Sequence, residues 1–207
     1  MPAHLGEDKV LLRLLGECSN GFYIDVGAND PLTSSNTHSF YLKGWRGIDI
    51  EPIPELAAKL RAEHSENIVL ECAVGAVGCR ATLYKPQNLE LSTLRADIAT
   101  GHIKQGFGGF EPVDVEVRTL DSILAEFASR PIDFISMDVE GSEAWALAGL
   151  DLRAWQPRVL LIEATLPNTR IPAWDQWEPG VLASGYELAE FDGYNRFYTR
   201  RPLGTNS

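Results

Sequence analysis

Apolar positions in this chain alternate between two periods. Phe22-Tyr-Ile-Asp-Val26 and Gly47-Ile-Asp-Ile50 are short and nearly solid apolar runs, and so are residues 132–137 and 159–162. Runs this short belong to strands buried on both faces. Between them the spacing turns helical. Val10, Leu11, Leu14 and Leu15 form one stripe within residues 5–18, and residues 34–42, 54–64, 120–128 and 181–183 also read as helices. Pro54 suits the first turn of its helix, and the helix at 120 starts near Thr119 or Asp121. Gly141 and Ser142 open another helix through Ala148, with Glu143 in its first turn, where an acid favours the helix dipole. Further strands are expected at 45–50, 67–72, 81–84 and 113–118. Residues 186–191 and 196–199 flank Asp192-Gly193 and read as an antiparallel hairpin. Strands alternating with helices imply an α/β fold, a mostly parallel sheet covered on both faces. Residues 1–207 are expected to form one domain, with residues 1–20 as a leading helix and no internal repeat or linker.

Two stretches resist this reading. Residues 85–112 show no strong period and carry Gly101, Gly106, Gly108 and Gly109, so a mobile binding loop is expected there. Residues 167–179 form a connection bearing Trp174 and Trp177, whose ring faces can stack on sugars or pack internally. Trp45, Trp145 and Trp155 read as packing residues.

Charge narrows the function. The net charge is −11 over 207 residues with no basic stripe, which argues against a nucleic-acid partner. Three cysteines, Cys18, Cys72 and Cys79, form no CxxC and read as free thiols of a cytoplasmic enzyme. No run approaches the ~18 apolar residues that cross a bilayer, and the first residues have neither the basic nor the apolar region of a signal peptide.

The candidate chemistry lies at the strand ends, where α/β sheets bind ligands. Asp25 is followed by the turn Gly27-Ala28-Asn29-Asp30, and the second strand ends in Glu51-Pro52. A small-residue turn followed by an acid about 20 residues on is the skeleton of a nucleoside site. The carboxylate can take two ribose hydroxyls. Gly27 is expected to let the backbone approach the ligand, with turn N–H groups facing it. GxGxxG is absent, which argues against a dinucleotide, and no Tyr-xxx-Lys pair supports an oxidoreductase. A non-catalytic binding module is the remaining alternative. Asp138, Glu140 and Glu163 fall at two further strand ends, and acids converging there need a ligand, metal or hydrogen-bond donors.

The ordered set GFYIDVGAND, SSNT, GWRGIDIEPIPE, ECAVG, VRTLDSIL, IDFISMDVEGSEAWALAGLDL, RVLLIEAT and GYELAEFDGYNRFYTR resembles the FkbM-type family of S-adenosylmethionine-dependent methyltransferases. The resemblance implies a class I methyltransferase, Rossmann-like fold: a mostly parallel seven-stranded sheet with helices on both faces and a C-terminal antiparallel hairpin. It implies that Asp25, Gly27, Ala28 and Asn29 cradle the amino-acid and sulfonium end of the cofactor. Ser35, Asn36 and Thr37 would line the same pocket, Glu51 with Pro52 would hold the ribose, and Cys72, Ala73 and Val74 would flank the adenine. Asp138 would sit below the methyl group. With only about twenty residues before the first strand, the acceptor is expected to be held by residues 85–112 and 167–179.

The resemblance also implies a hydroxyl acceptor, on a sugar or on a glycosylated or polyketide-type metabolite, with a nitrogen acceptor as the alternative. A hydroxyl needs a base or a metal that lowers its pKa. His102 in the glycine-rich loop and His38 are candidate bases, with Asp138 and Glu140 beside them as catalytic candidates. In a second scheme Asp138 and Glu163 bind Mg²⁺, whose hard oxygen preference they suit, by analogy with metal-dependent enzymes of this fold. Glu140 is then a third ligand or a base. Arg95 and Arg170 could meet an anionic acceptor but read first as solvated surface. His4 and His64 are given no role.

Overall fold

The computed structural model describes residues 6–16 and 18–200 of the chain. Helix α1 (Glu7–Leu15) leads into strand β1 (Phe22–Val26), helix α2 (His38–Leu42), strand β2 (Arg46–Ile50), helix α3 (Pro54–Glu63) and strand β3 (Ile68–Leu70). Strands β4 (Ala73–Val74) and β5 (Cys79–Pro86), helix α4 (Ala96–Lys104), strand β6 (Phe110–Arg118) and helix α5 (Leu120–Phe127) follow. The chain then forms β7 (Phe134–Met137), α6 (Glu143–Leu147), α7 (Leu152–Trp155), β8 (Val159–Glu163), α8 (Glu178–Ala183), β9 (Tyr186–Phe191) and β10 (Asn195–Arg200).

Seven strands make one sheet in the order β3-β2-β1-β7-β8-β10-β9. The first five pair in parallel, and β10 runs antiparallel to both β8 and β9. This is the expected parallel sheet with a terminal hairpin. Every residue of β1 and β7 is buried, because helices cover both faces. Alternate residues of β1 serve opposite faces. Phe22, Ile24 and Val26 pack with Ile135, Met137, Leu160 and the α5 residues Leu120, Ile123 and Leu124. Tyr23 points to the other face, where Phe40, Trp45, Phe134, Leu161 and Phe197 gather beneath α1 and α2. Asp25 and Asp49 occupy that second face in register with one another, two buried carboxyls.

A second, three-stranded sheet of order β4-β6-β5 has no counterpart in the sequence reading. β5 and β6 pair antiparallel from Cys79↔Val117 to Pro86↔Phe110, so the short strand expected at 81–84 is longer at both ends. Between them lies helix α4, where a structureless loop was expected. Its inward stripe is narrow, since only Ala99 and His102 are buried, and a stripe containing a histidine gives no apolar period. α7 was also missed. Four residues are too few to show periodicity, and Asp151 starts this helix by accepting the Arg153 and Ala154 N–H groups at 2.9 and 3.2 Å. Thr119 caps α5, accepting from the Ser122 N–H at 3.1 Å.

Phe134 is fully buried in the middle of the sheet. Its ring lies 4.8 Å from Phe40, 5.5 Å from Tyr23 and 5.9 Å from Trp45. Phe134→Ala should remove about 3–5 kcal/mol of stability, read by urea unfolding. A loss below about 1 kcal/mol would contradict this packing.

Candidate functional site

The ends of β1 and β2 form one wall of the site. Both turn N–H groups expected to face a ligand are used internally: Gly27 and Ala28 donate to the Ile50 carbonyl at 3.0 and 3.1 Å. The next N–H, from Asn29, goes to Glu51 Oε2 at 2.9 Å, and Ile53 donates to Glu51 Oε1 at 2.8 Å. Gly27 also serves a different purpose from the one expected. Its φ is +80°, and a Cβ there would stand 1.9 Å from the Asp138 carbonyl oxygen. The close approach it permits is that of the β7 end, which brings Asp138 beside β1. Glu51 is buried. Each of its oxygens accepts one of these backbone N–H groups, which leaves a lone pair on each for a further donor. Burial pushes its carboxyl up to about 7 against the pull of the two N–H donors.

Asp25 lies deeper. Burial, then the Asp49 charge, pushes its carboxyl up to about 7, while the Thr37 hydroxyl, donating at 2.7 Å, opposes the shift. Ser35 Oγ accepts the Thr37 and His38 N–H groups at 3.3 and 3.0 Å, and Asn36 Nδ2 donates to Ser136 Oγ at 3.2 Å. Residues 35–37 are thereby fixed over the end of β1.

Beyond β7 and β8, four carboxyls converge. Asp138 has surface open to the cavity, yet the protein packed around it pushes its carboxyl up to about 6. Glu143, expected only to favour a helix dipole, is buried. Its Oε1 accepts the Val139 and Gly141 N–H groups, both at 3.1 Å. Burial and then Asp138 push it up to about 7. Glu140 and Glu163 are held well above the usual carboxyl range, first by burial and then by Asp138. Glu140 has a φ of +51°, its carbonyl accepts from Thr93 Oγ1 at 2.7 Å, and its Oε2, like Glu163 Oε2, is buried without a donor among the described residues. Carboxylate oxygens of Asp138, Glu143 and Glu163 lie within 4.8 Å of one another, a spacing that could hold a metal ion. Acids at Asp138, Glu140 and Glu143 within six residues were the sequence signal for Glu143.

A cavity of about 480 Å³ joins these walls. Residues 25–29, Ser35, Asn36, Glu51, Pro52 and residues 72–74 line it, as do Asp138, Glu140 and Glu163. Thr37, His38 and His102 are not among its lining residues. Thr37 lies beneath, on Asp25. His102 is not in a loop. It is buried in α4, against Phe107 and Phe110, with Nε2 3.4 Å from Asn168 Nδ2. His38 Nδ1 meets His64 Nε2 at 3.1 Å, and fully buried His64 meets Asp49 Oδ2 at 2.9 Å. His64, given no role from sequence, thus links two elements of the core; His4 lies outside the described residues. Neither tryptophan of the 167–179 connection reaches the cavity. Trp177 is buried against Tyr198, and Trp174 meets Phe191 with Arg196 3.6 Å above its ring. Glu7, Glu90, Asn168, Tyr194 and Asn195 also line the cavity, from segments whose neighbours only the fold reveals.

The domain described as methyltransferase FkbM matches residues 25–188. The crystal structure of a methyltransferase FkbM from Methylobacillus flagellatus is similar over 89% of this chain and 45% of that chain, at 20% identity and a TM-score of 0.55. The likeness is one of fold, and this chain spans less than half of that one. A TehB-like SAM-dependent methyltransferase from Corynebacterium glutamicum aligns over 94% of this chain and 88% of that chain, at 10% identity and a TM-score of 0.49. A comparison with curated proteins finds no match.

A carboxyl whose folded-state pKa is raised binds its proton more tightly in the folded chain. It favours folding below its unfolded value, and that contribution is lost as pH rises through the folded value. Asp25, Glu51 and Glu143 at about 7 and Asp138 at about 6 place this loss above the ordinary carboxyl values of 3.8 and 4.5. Unligated protein should therefore be less stable at about pH 8 than at about pH 5, by on the order of 1 kcal/mol per carboxyl. Urea unfolding at the two pH values checks this, and equal stability would contradict it.

Proposed function

Because the chain belongs to the FkbM methyltransferase family, we propose that it transfers a methyl group from S-adenosylmethionine to a hydroxyl of a sugar or of a glycosylated or polyketide-type metabolite. The observation that carries the cofactor reading is Glu51, a buried strand-end carboxylate with one lone pair left on each oxygen. The fit is supported by the rest of the wall. The cavity is about 480 Å³, polar residues 35 and 36 lie over the end of β1, and apolar residues 72–74 offer a slot for a flat base.

When bound, S-adenosylmethionine supplies a methyl already activated by a sulfonium, so the chain's own work is alignment and proton removal. Glu51 takes the ribose hydroxyls. Asp25, kept in place by Thr37, and residues 27–29, 35 and 36 hold the amino-acid end. Asp138 faces the transfer site from β7. Carboxyls with raised pKa values are the groups best matched to taking a proton from a hydroxyl near neutral pH. Glu140 and Asp138 line the cavity and carry that property; His38 and His102 do not line it, so the base is assigned to the carboxyls. The segment carrying Glu90 and Ser92, with Asn168, Tyr194 and Asn195, frames the acceptor. Three free thiols fit a cytoplasmic enzyme. Among the described residues no helix is long and apolar enough to cross a membrane.

One observation favours a second route of activation. The Asp138, Glu143 and Glu163 oxygens within 4.8 Å of one another form an all-oxygen set suited to Mg²⁺, which would lower the hydroxyl pKa in place of a base.

Calorimetric titration with S-adenosylhomocysteine tests the cofactor site. The wild type should bind, and Glu51→Ala should bind at least about tenfold more weakly, ~1.4 kcal/mol. Equal binding by both would remove the ribose assignment. Turnover in EDTA separates the activation routes. The carboxyl base predicts no change, and a loss restored by Mg²⁺ assigns activation to the metal.

A further inference from the structure

The end of the cavity that the cofactor assignment leaves over has a one-sided charge. Glu7, Glu90, Asp138, Glu140 and Glu163 line it, and among the described residues no lysine, arginine or histidine does. The basic groups nearby are engaged elsewhere. Arg95 Nη2 and Nε hold Asp97, and Nη1 donates to the Gly141 carbonyl at 3.3 Å. Arg170 lies over the Tyr194 ring at 5.2 Å and is not on the wall. Two oxygens on this wall, Glu140 Oε2 and Glu163 Oε2, are buried and have no donor among the described residues. Such orphaned acceptors are costly unless a ligand satisfies them.

We infer that this end of the cavity receives a protonated amine, so that the acceptor is an amine-bearing polyol and not a phosphorylated or carboxylated one. The inference rests on the methyltransferase reading above and names the class of its acceptor. A neutral hydroxyl can donate to one orphaned oxygen but leaves the charge in place. An ammonium brings three N–H donors and a positive charge to the same wall. A phosphate or carboxylate meets Glu90, Asp138, Glu140 and Glu163, and among the described residues no cation lines the wall to receive it, in a cavity whose low-dielectric walls strengthen the repulsion.

The test uses derivatives of S-adenosylhomocysteine in which a nitrogen replaces the sulfur and carries a short alkyl arm ending in an ammonium, a hydroxyl or a carboxylate. The shared adenosine and amino-acid parts seat each arm in the acceptor end whatever the natural acceptor is. Titration calorimetry should find the ammonium arm at least about tenfold tighter than the hydroxyl arm and the carboxylate arm at least about tenfold weaker. The spread among the arms should shrink below about threefold in the double variant Glu140→Gln, Glu163→Gln. Three arms within about threefold of one another, or all three more than about tenfold weaker than S-adenosylhomocysteine, would overturn the inference. A carboxylate arm that binds tightest in Mg²⁺ would overturn it too, by placing a metal ion where the ammonium is drawn. Failure of S-adenosylhomocysteine itself to bind counts against the underlying methyltransferase site, a separate result from equal binding of the arms.

Discussion

The contact between the Gly27 Cα and the Asp138 carbonyl sets the geometry of the site. A side chain at Gly27 would stand 1.9 Å from that oxygen, far inside van der Waals contact. Without one, the ends of β1 and β7 close on each other, and the Asp138 N–H reaches the Val26 carbonyl at 3.0 Å. Two further bonds complete the corner, from Gly27 and Ala28 to Ile50. Glu51 from β2 and the acids beyond β7 and β8 then face one cavity. The turn is rigid because its own N–H groups are consumed, and the polar groups left to meet a ligand are side chains.

Those side chains are mostly carboxyls, several of them buried. Burying a carboxylate is unfavourable unless donors surround it, and the chain provides donors unevenly. Glu51 and Glu143 each receive two backbone N–H groups, and Asp25 receives a hydroxyl. Glu140 and Glu163 keep an oxygen with none among the described residues. The wall near β2 is thus prepared for hydroxyls, while the wall beyond β7 and β8 is short of both donors and positive charge. The proposed division into a cofactor side and an acceptor side rests on that gradient. Any ligand that supplies the missing donors stabilises the folded chain by mass action.

Much of this was legible in the residues. β1 and β9 begin and end where their apolar runs do, since solid or alternating runs bounded by turn residues leave little freedom. The Glu51 and Asp138 positions followed from strand ends. What stayed hidden depends on contacts distant in sequence. α4 shows no stripe because His102 and Ala99 are its only buried residues. The β5–β6 pairing joins strands separated by that helix. The approach of Gly27 to Asp138 was hidden because Asp138 lies more than a hundred residues away in the chain. His64 looked idle alone, yet burial places it on Asp49 and His38.

The central claim is that Glu51 and Asp138 bound one cofactor cavity, with the ribose on the first and the reacting sulfur facing the second. A crystal structure with S-adenosylhomocysteine tests it most directly. The account predicts both ribose hydroxyls within hydrogen-bond distance of the Glu51 carboxylate and the sulfur on the Asp138 side of the cavity. A ligand bound elsewhere, or one whose ribose makes no contact with Glu51, would contradict it.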